Sequence, residues 1–386
     1  MYKVKFAFLG FVLLFGLSKT IQAQGEAAVP FLLIAPDSRG GGMGESGVGL
    51  SDNSSAVFWN PAGIAFLSGQ EFSFTHSNWL PKFKLDLFYD YATYRNYIDE
   101  LDGSVTASVT YMNYGEFVRT GPDSPDPLGT FRSFDMAATV GYATKLSTDW
   151  GLGVNLRLIH SRLSDMPTGQ EQGTGTATSV SFDLGFMWRP SSLVIPFTDY
   201  DMGNKFSVGL NLSNLGPKIS YIDRAQADPI PTQLRLGLAY RFLADEYNSL
   251  TYTLDFTKLL VRRYPDGTSD DFYEAIFTAW TDKSFSDELA DIVTSMGLEY
   301  WYGKPGDFLF ALRGGFFYED PNYGNRKFIT LGAGIRYDIY GFDFSYISTS
   351  VFKDGENHPL SDTLRFTILV GWGGVPDKIV GLPRGL

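Results

Sequence analysis

Phe206-Ser207-Val208-Gly209-Leu210-Asn211-Leu212-Ser213 places an apolar residue at every second position and a small or polar one between. Strand side chains point alternately to opposite faces, so this segment has one oily face and one wet face. The pattern returns along the chain. Leu234, Leu236, Leu238, Tyr240 and Phe242 alternate with Arg235, Gly237, Ala239 and Arg241. Leu364, Phe366, Ile368, Val370 and Trp372 alternate with Thr363, Arg365, Thr367 and Gly371. A soluble sandwich shares such alternation, but strand length, aromatic weight and the number of repeats favour a membrane barrel.

Composition agrees. The 386 residues are 44% hydrophobic and 16% aromatic, with 42 Gly and no Cys. A mean hydropathy of -0.08 is too low for a bundle of membrane helices. It suits a barrel, in which only every second residue meets lipid. Residues 1–24 read as an export signal: Lys3 and Lys5 form the charged start, residues 6–17 are too short a run for a stop-transfer helix, and Ala23 supplies a small residue at the cut. The net charge of -12, made more negative when three lysines leave with the signal, argues against a nucleic-acid partner. Without Cys there is no disulfide framework. Export and barrel patterning together predict an outer-membrane location.

The repeats predict an all-β fold, a transmembrane antiparallel β-barrel of about fourteen strands, the even number a closed single-chain barrel requires. The strands fall within residues 70–373, near 70–78, 83–93, 104–115, 132–146, 150–163, 178–189, 205–215, 232–243, 249–260, 294–303, 307–318, 328–338, 341–350 and 363–373. If the first strand runs outward, the even-numbered connections are short periplasmic turns, and most are. Two break the rule: 79–82 is short for an outer loop and 190–204 is long for a turn. The longest loop, 261–293, shows helical spacing in Phe272, Ala275, Ile276, Ala279 and Trp280 behind Asp270 and Asp271. Such a loop serves as a lid, a partner platform or cover for the rim. A tail, 374–386, follows the last strand.

The wet face carries Asp86, Asp90, Arg157, Asp183, Arg235, Asp255, Arg313, Arg336, Asp343 and Arg365. They are expected to line the lumen, as a ladder of ion pairs that stiffens the barrel or as a path for solute. Aromatics near strand ends, among them Tyr89, Tyr91, Trp188, Tyr240 and Trp372, fit an interfacial girdle.

Residues 25–69 lack strand alternation. Gly42-Met43-Gly44-Glu45-Ser46-Gly47 has dinucleotide-binding spacing, but an Asn-Pro break follows where a βαβ unit is needed. The glycines here instead allow tight backbone packing in a narrow space.

The run Asp52-Asn53-Ser54-Ser55-Ala56-Val57-Phe58-Trp59-Asn60-Pro61-Ala62-Gly63-Ile64, behind its Gly-rich stretch, resembles the start of FadL-type barrels. In that superfamily the Asn-Pro-Ala segment forms a hatch inside a fourteen-stranded barrel, which makes Asn60, Pro61 and Ala62 hatch residues and 25–69 the hatch. Within the superfamily, residues 39–67, 334–346 and 357–366 are most similar to the PorV and PorQ family of type IX secretion. The resemblance implies a barrel that binds secreted cargo by its C-terminal signal domain at the type IX translocon barrel. The cargo is then passed to a sortase-like surface attachment complex.

No Gly-x-Ser-x-Gly elbow, His-Glu-x-x-His motif or Cys cluster is present, so no catalytic residue, cofactor or metal site is assigned. His76, His160 and His358 read as rim or interface residues. Beside the secretion role stand two alternatives: a FadL-like channel for hydrophobic small molecules, and a deacylase acting on lipopolysaccharide with a rim Ser/His pair.

Overall fold

The computed structural model describes residues 27–120, 126–164, 174–304, 307–352 and 358–373. The expected signal, 1–24, and tail, 374–386, lie outside the described residues. Ahead of the strands, short 3-10 turns at Pro30–Leu33 and Pro61–Phe66 flank two helices, α1 (Ser38–Gly42) and α2 (Ala56–Trp59). Fourteen strands follow: β1 (Gln70–Asn78), β2 (Phe88–Ile98), β3 (Gly103–Thr120), β4 (Pro127–Lys145), β5 (Trp150–Arg162), β6 (Thr176–Trp188), β7 (Phe206–Leu215), β8 (Gln233–Ala244), β9 (Asn248–Leu259), β10 (Val293–Tyr302), β11 (Leu309–Tyr318), β12 (Lys327–Tyr337), β13 (Tyr340–Ser348) and β14 (Leu364–Trp372). Each pairs antiparallel with its sequence neighbours, and β1 pairs with β14 as well as β2, which closes the barrel. Closure leaves no strand edge exposed to hydrocarbon, where unpaired backbone groups are costly.

Period two sorts the residues onto two faces. In β6, Ala177, Ser179, Ser181, Asp183 and Met187 are buried, while Val180 and Phe182 are exposed. The inner wall is thus small, polar and charged, and the outer wall aliphatic and aromatic.

β2 starts at Phe88 rather than near residue 83. Leu80 and Lys84, with φ of +50° and +55°, turn the chain around Pro81–Phe83, and the Trp79 N–H donates to the Leu87 carbonyl at 2.9 Å. The β1–β2 connection is therefore 79–87, and the outer loop that looked too short disappears. The β6–β7 connection, 189–205, stays long at the end where every other connection is a short turn. Short turns of outer-membrane barrels face the periplasm.

At the opposite end, the β9–β10 connection holds two short helices, α3 (Phe272–Thr278) and α4 (Phe285–Ala290), where the periodicity predicted one. Asp271 and Glu274 form a capping box on α3, and the Ser284 hydroxyl accepts from the Asp287 N–H to begin α4. Lys258 of β9, buried beside Glu288 (2.7 Å) and Asp291 (3.0 Å), pins α4 to the rim.

Candidate functional site in the barrel lumen

The N-terminal segment touches inward-facing residues around the ring, by different chemistry on different sides. Toward β2–β6 the contact is apolar. Val29, Phe31, Leu32 and Val57 pack with Tyr89, Tyr91, Met112 and Ile159. Ala56, Ala62, Ile64 and Phe66 pack with Ala143 and Met187.

From β5 to β11, strand glycines make the room. Gly153 pairs with Gly185, Gly209 with Gly237, and Gly297 with Gly315 in the strand register. A Cβ on Gly153 would sit 2.4 Å from the Ala62 nitrogen, one on Gly209 2.3 Å from the Val48 carbonyl oxygen, and one on Gly315 2.0 Å from the Gly44 nitrogen. Gly44 itself has φ of +69° with strand backbone 2.5 Å from where its Cβ would lie, a demand only glycine meets.

Asn60 does two jobs. Its side-chain oxygen accepts from the Ala62 N–H (3.1 Å), capping the Pro61–Phe66 turn, and its amide donates to the Phe186 carbonyl of β6 (2.9 Å). Pro61 occupies the first position of that turn, where a missing N–H costs nothing. Strand side chains serve the remaining carbonyls: Asn155 donates to Val57 (2.8 Å) and Asn211 to Trp59 (3.0 Å). Asp255 accepts the N–H groups of Gly47 and Val48 at 2.7 and 2.9 Å.

Toward β10–β13 the contact is ionic. Arg39 donates Nε and Nη2 to the two oxygens of Glu299, each at 2.7 Å, and Nη1 to Asp52 at 2.6 Å. Glu299 also accepts from Arg313 Nε (2.7 Å), Arg313 reaches Asp343 (2.8 Å), and Asp343 takes Arg336 (2.7 Å). The Trp301 ring lies 5.3 and 5.2 Å from the Arg313 and Arg336 guanidinium carbons. The result is a buried relay of three acids and three bases, from Asp52 through Arg39, Glu299, Arg313 and Asp343 to Arg336. Asp37 supports it by accepting from the Gly40 N–H (3.0 Å) and the Trp59 indole (2.7 Å). Burial pushes the Asp37 carboxyl up from its ordinary range, against the pull of both donors and of Arg39.

At the loop-bearing end a cavity of about 580 Å³ remains open above Phe31, Leu33 and Ile34, walled by Trp79, Leu259 and Phe328. That volume lies in the usual range for ligand sites.

A family model described as the type IX secretion system protein PorV matches residues 19–266, more than half of the chain. The chain belongs to the PorV family. It is accordingly an outer-membrane β-barrel associated with type IX secretion. Among solved structures, this PorV-family barrel is similar to the Ralstonia pickettii toluene transporter TbuX (TM-score 0.47, 11% identity, 88% of this chain and 98% of that one). It is also similar to a Pseudomonas aeruginosa FadL homologue (TM-score 0.46, 12% identity, 87% and 98%). No curated protein matches its sequence.

In the PorV-family barrel, Arg157, Asp183, Arg235, Asp255, Arg313, Arg336, Asp343 and Arg365 are buried on inner faces. Arg157 pairs with Asp183 (2.7 Å), Arg365 with Glu45 (3.0 Å), and Arg235 lies 4.8 Å over the Phe58 ring. Asp86 and Asp90 correct the expectation. Asp86 is exposed in the loop before β2, and Asp90 faces outward, bonded to His76 at 2.7 Å. The inward positions beside it belong to Tyr89 and Tyr91, which the apolar packing of Phe31 draws inside and away from the expected girdle. Glu299 shares the inward phase of Ser295 and Gly297, a signal the sequence carries; Arg39 and Asp52 sit where no period marks a face.

Proposed function

We propose that residues 25–69 are a hatch that seals the barrel, and that the protein is a non-enzymatic receptor for secreted cargo. It takes cargo by its C-terminal signal domain at the type IX translocon barrel and passes it to a sortase-like attachment complex. One asymmetry supports this reading: the lumen is clamped by ions and backbone contacts, whereas the loop end offers apolar surface. On α3 and α4, Phe277 and Phe285 are 75% and 79% exposed. Exposed aromatic anchors of this kind commonly dominate protein interfaces. The clamped lumen weighs against an open path for hydrophobic small molecules, although the cavity above Phe31, Leu33 and Ile34 is the kind of pocket such a channel needs. A lipopolysaccharide deacylase draws little support from His76 and Asp90, whose outward neighbours are Phe88, Tyr111 and Phe366 rather than a nucleophile.

The test is capture of a purified signal domain by the full-length protein in detergent. Phe277→Asp with Phe285→Asp is expected to remove about 2 kcal/mol or more, roughly a thirtyfold loss of affinity. In cells the same variant should leave cargo in the periplasm. Undiminished capture and normal surface display by the variant would overturn the reading.

A further inference from the structure

We propose that the β6–β7 connection, residues 189–205, is a bilayer anchor that sinks Phe197 into the periplasmic leaflet of the outer membrane. This long connection folds as a small hairpin. The Ile195 N–H donates to the Tyr200 carbonyl (3.0 Å) and the Met202 N–H to the Leu193 carbonyl (2.9 Å). Asp201 accepts from the N–H groups of Leu193 (2.6 Å) and Gly203 (2.7 Å), and these donors hold its carboxyl below the ordinary range.

At the tip, the Thr198 N–H donates to the Ile195 carbonyl (3.1 Å) across a turn centred on Pro196 and Phe197. Phe197 has φ of +65°. Glycine or asparagine normally fills this position, because a side chain is strained at positive φ. Phenylalanine accepts that strain while the residue is 106% exposed, so contacts among the described residues do not repay it. A strained residue of this kind is a pointer to function rather than proof of it, since Leu80 and Lys84 share the conformation in a plain turn. What can repay the strain is the surface the hairpin faces.

Continuity with the lipid-facing wall identifies the occupant as lipid. The Tyr200 hydroxyl is 2.6 Å from that of Tyr240, on the outward face of β8. Along the same rim Trp150 stacks on Trp188 (6.0 Å), Trp188 meets Phe206 edge-on (6.2 Å), and Phe242 follows Tyr240 (4.6 Å). That row occupies the level of an aromatic belt. Val194, 54% exposed, extends the apolar side of the hairpin. Lys205, 4.9 Å over the Tyr200 ring, sets a cation at headgroup height.

The chain has no cysteine, so a single one can report position. Phe197→Cys, carrying a polarity-sensitive fluorophore, is compared in vesicles with Leu156→Cys on the lipid-facing wall and Glu246→Cys in the β8–β9 turn. Brominated phospholipid chains are expected to quench most of the signal at 197, as at 156, while aqueous iodide quenches only 246. The proposal is overturned if iodide quenches the label at 197 and brominated lipid spares it, which would make the tip a knob for a periplasmic protein.

Discussion

Glu299→Gln is expected to destabilise the folded protein by about 3–5 kcal/mol, the usual cost of removing one partner from a buried ion pair. Glu299 is fully buried and accepts three charged hydrogen bonds from Arg39 and Arg313. The relay holds equal numbers of acids and bases, so neutralising Glu299 leaves an uncompensated positive charge away from water. The new amide also turns N–H donors toward guanidinium donors. Tryptophan fluorescence of the refolded protein in urea should show the lowered midpoint, and the N-terminal segment should become protease-sensitive around Arg39. The exposed Lys304–Glu246 bridge of 2.5 Å provides the comparison, because both its side chains are at least half exposed. Glu246→Gln should leave the urea midpoint close to the parent's. Equal effects from the two substitutions would mean that the relay does not hold the segment.

Much of the barrel was legible because lipid imposes one demand on every strand: an apolar side chain at each second position. β7, β8 and β14 obey it plainly. The misreading of β2 shows the limit. Phe83, Leu85 and Leu87 alternate with charges as a strand would, yet Phe83 and Leu85 are 52% and 62% exposed in a rim loop. Alternation follows from a strand but does not prove one. Asp90 fell on the wrong face for a related reason: the interior near β2 is apolar where Phe31 packs, so tyrosines point in and the aspartate finds His76 outside.

The candidate site divides in the same way. Most charges on strands, Asp90 excepted, could be assigned to the inner face by their phase. Arg39 and Asp52 could not, because their partners arrive from 260 residues away in one case and 13 in the other, through a segment with no repeat. The glycines were visible as small residues on wet faces. Their pairing was not, since it depends on register between neighbouring strands and on which backbone comes to rest there.

Gly315→Val is expected to leave the barrel assembled and to drive out the N-terminal segment. Valine favours strands, and at 315 it faces inward, so the strand itself tolerates the change. The new Cβ would lie 2.0 Å from the Gly44 nitrogen and 2.2 Å from the Met43 carbonyl carbon. No rotamer relieves that clash, because the clashing atom is Cβ and its neighbours are backbone. Where side chains can give way, overpacking costs about 1–3 kcal/mol; here two backbones must part by about 1 Å or more. That separation also stretches the Gly44 N–H bond to the Thr330 hydroxyl (2.8 Å) and strains the Arg39–Glu299 pair. The variant barrel should migrate on gels, heated and unheated, as the parent does, while protease cuts within residues 30–67. If the segment seals the barrel as proposed, vesicles carrying the variant should admit small solutes more readily than vesicles carrying the parent. Gly314, next in the chain and turned outward, would bring its Cβ no nearer than 4.0 Å to the Thr330 carbonyl oxygen, so Gly314→Val should match the parent in every assay. If Gly315→Val matches it too, the segment does not rest on the glycine pairs, and the sealed-lumen reading fails with them.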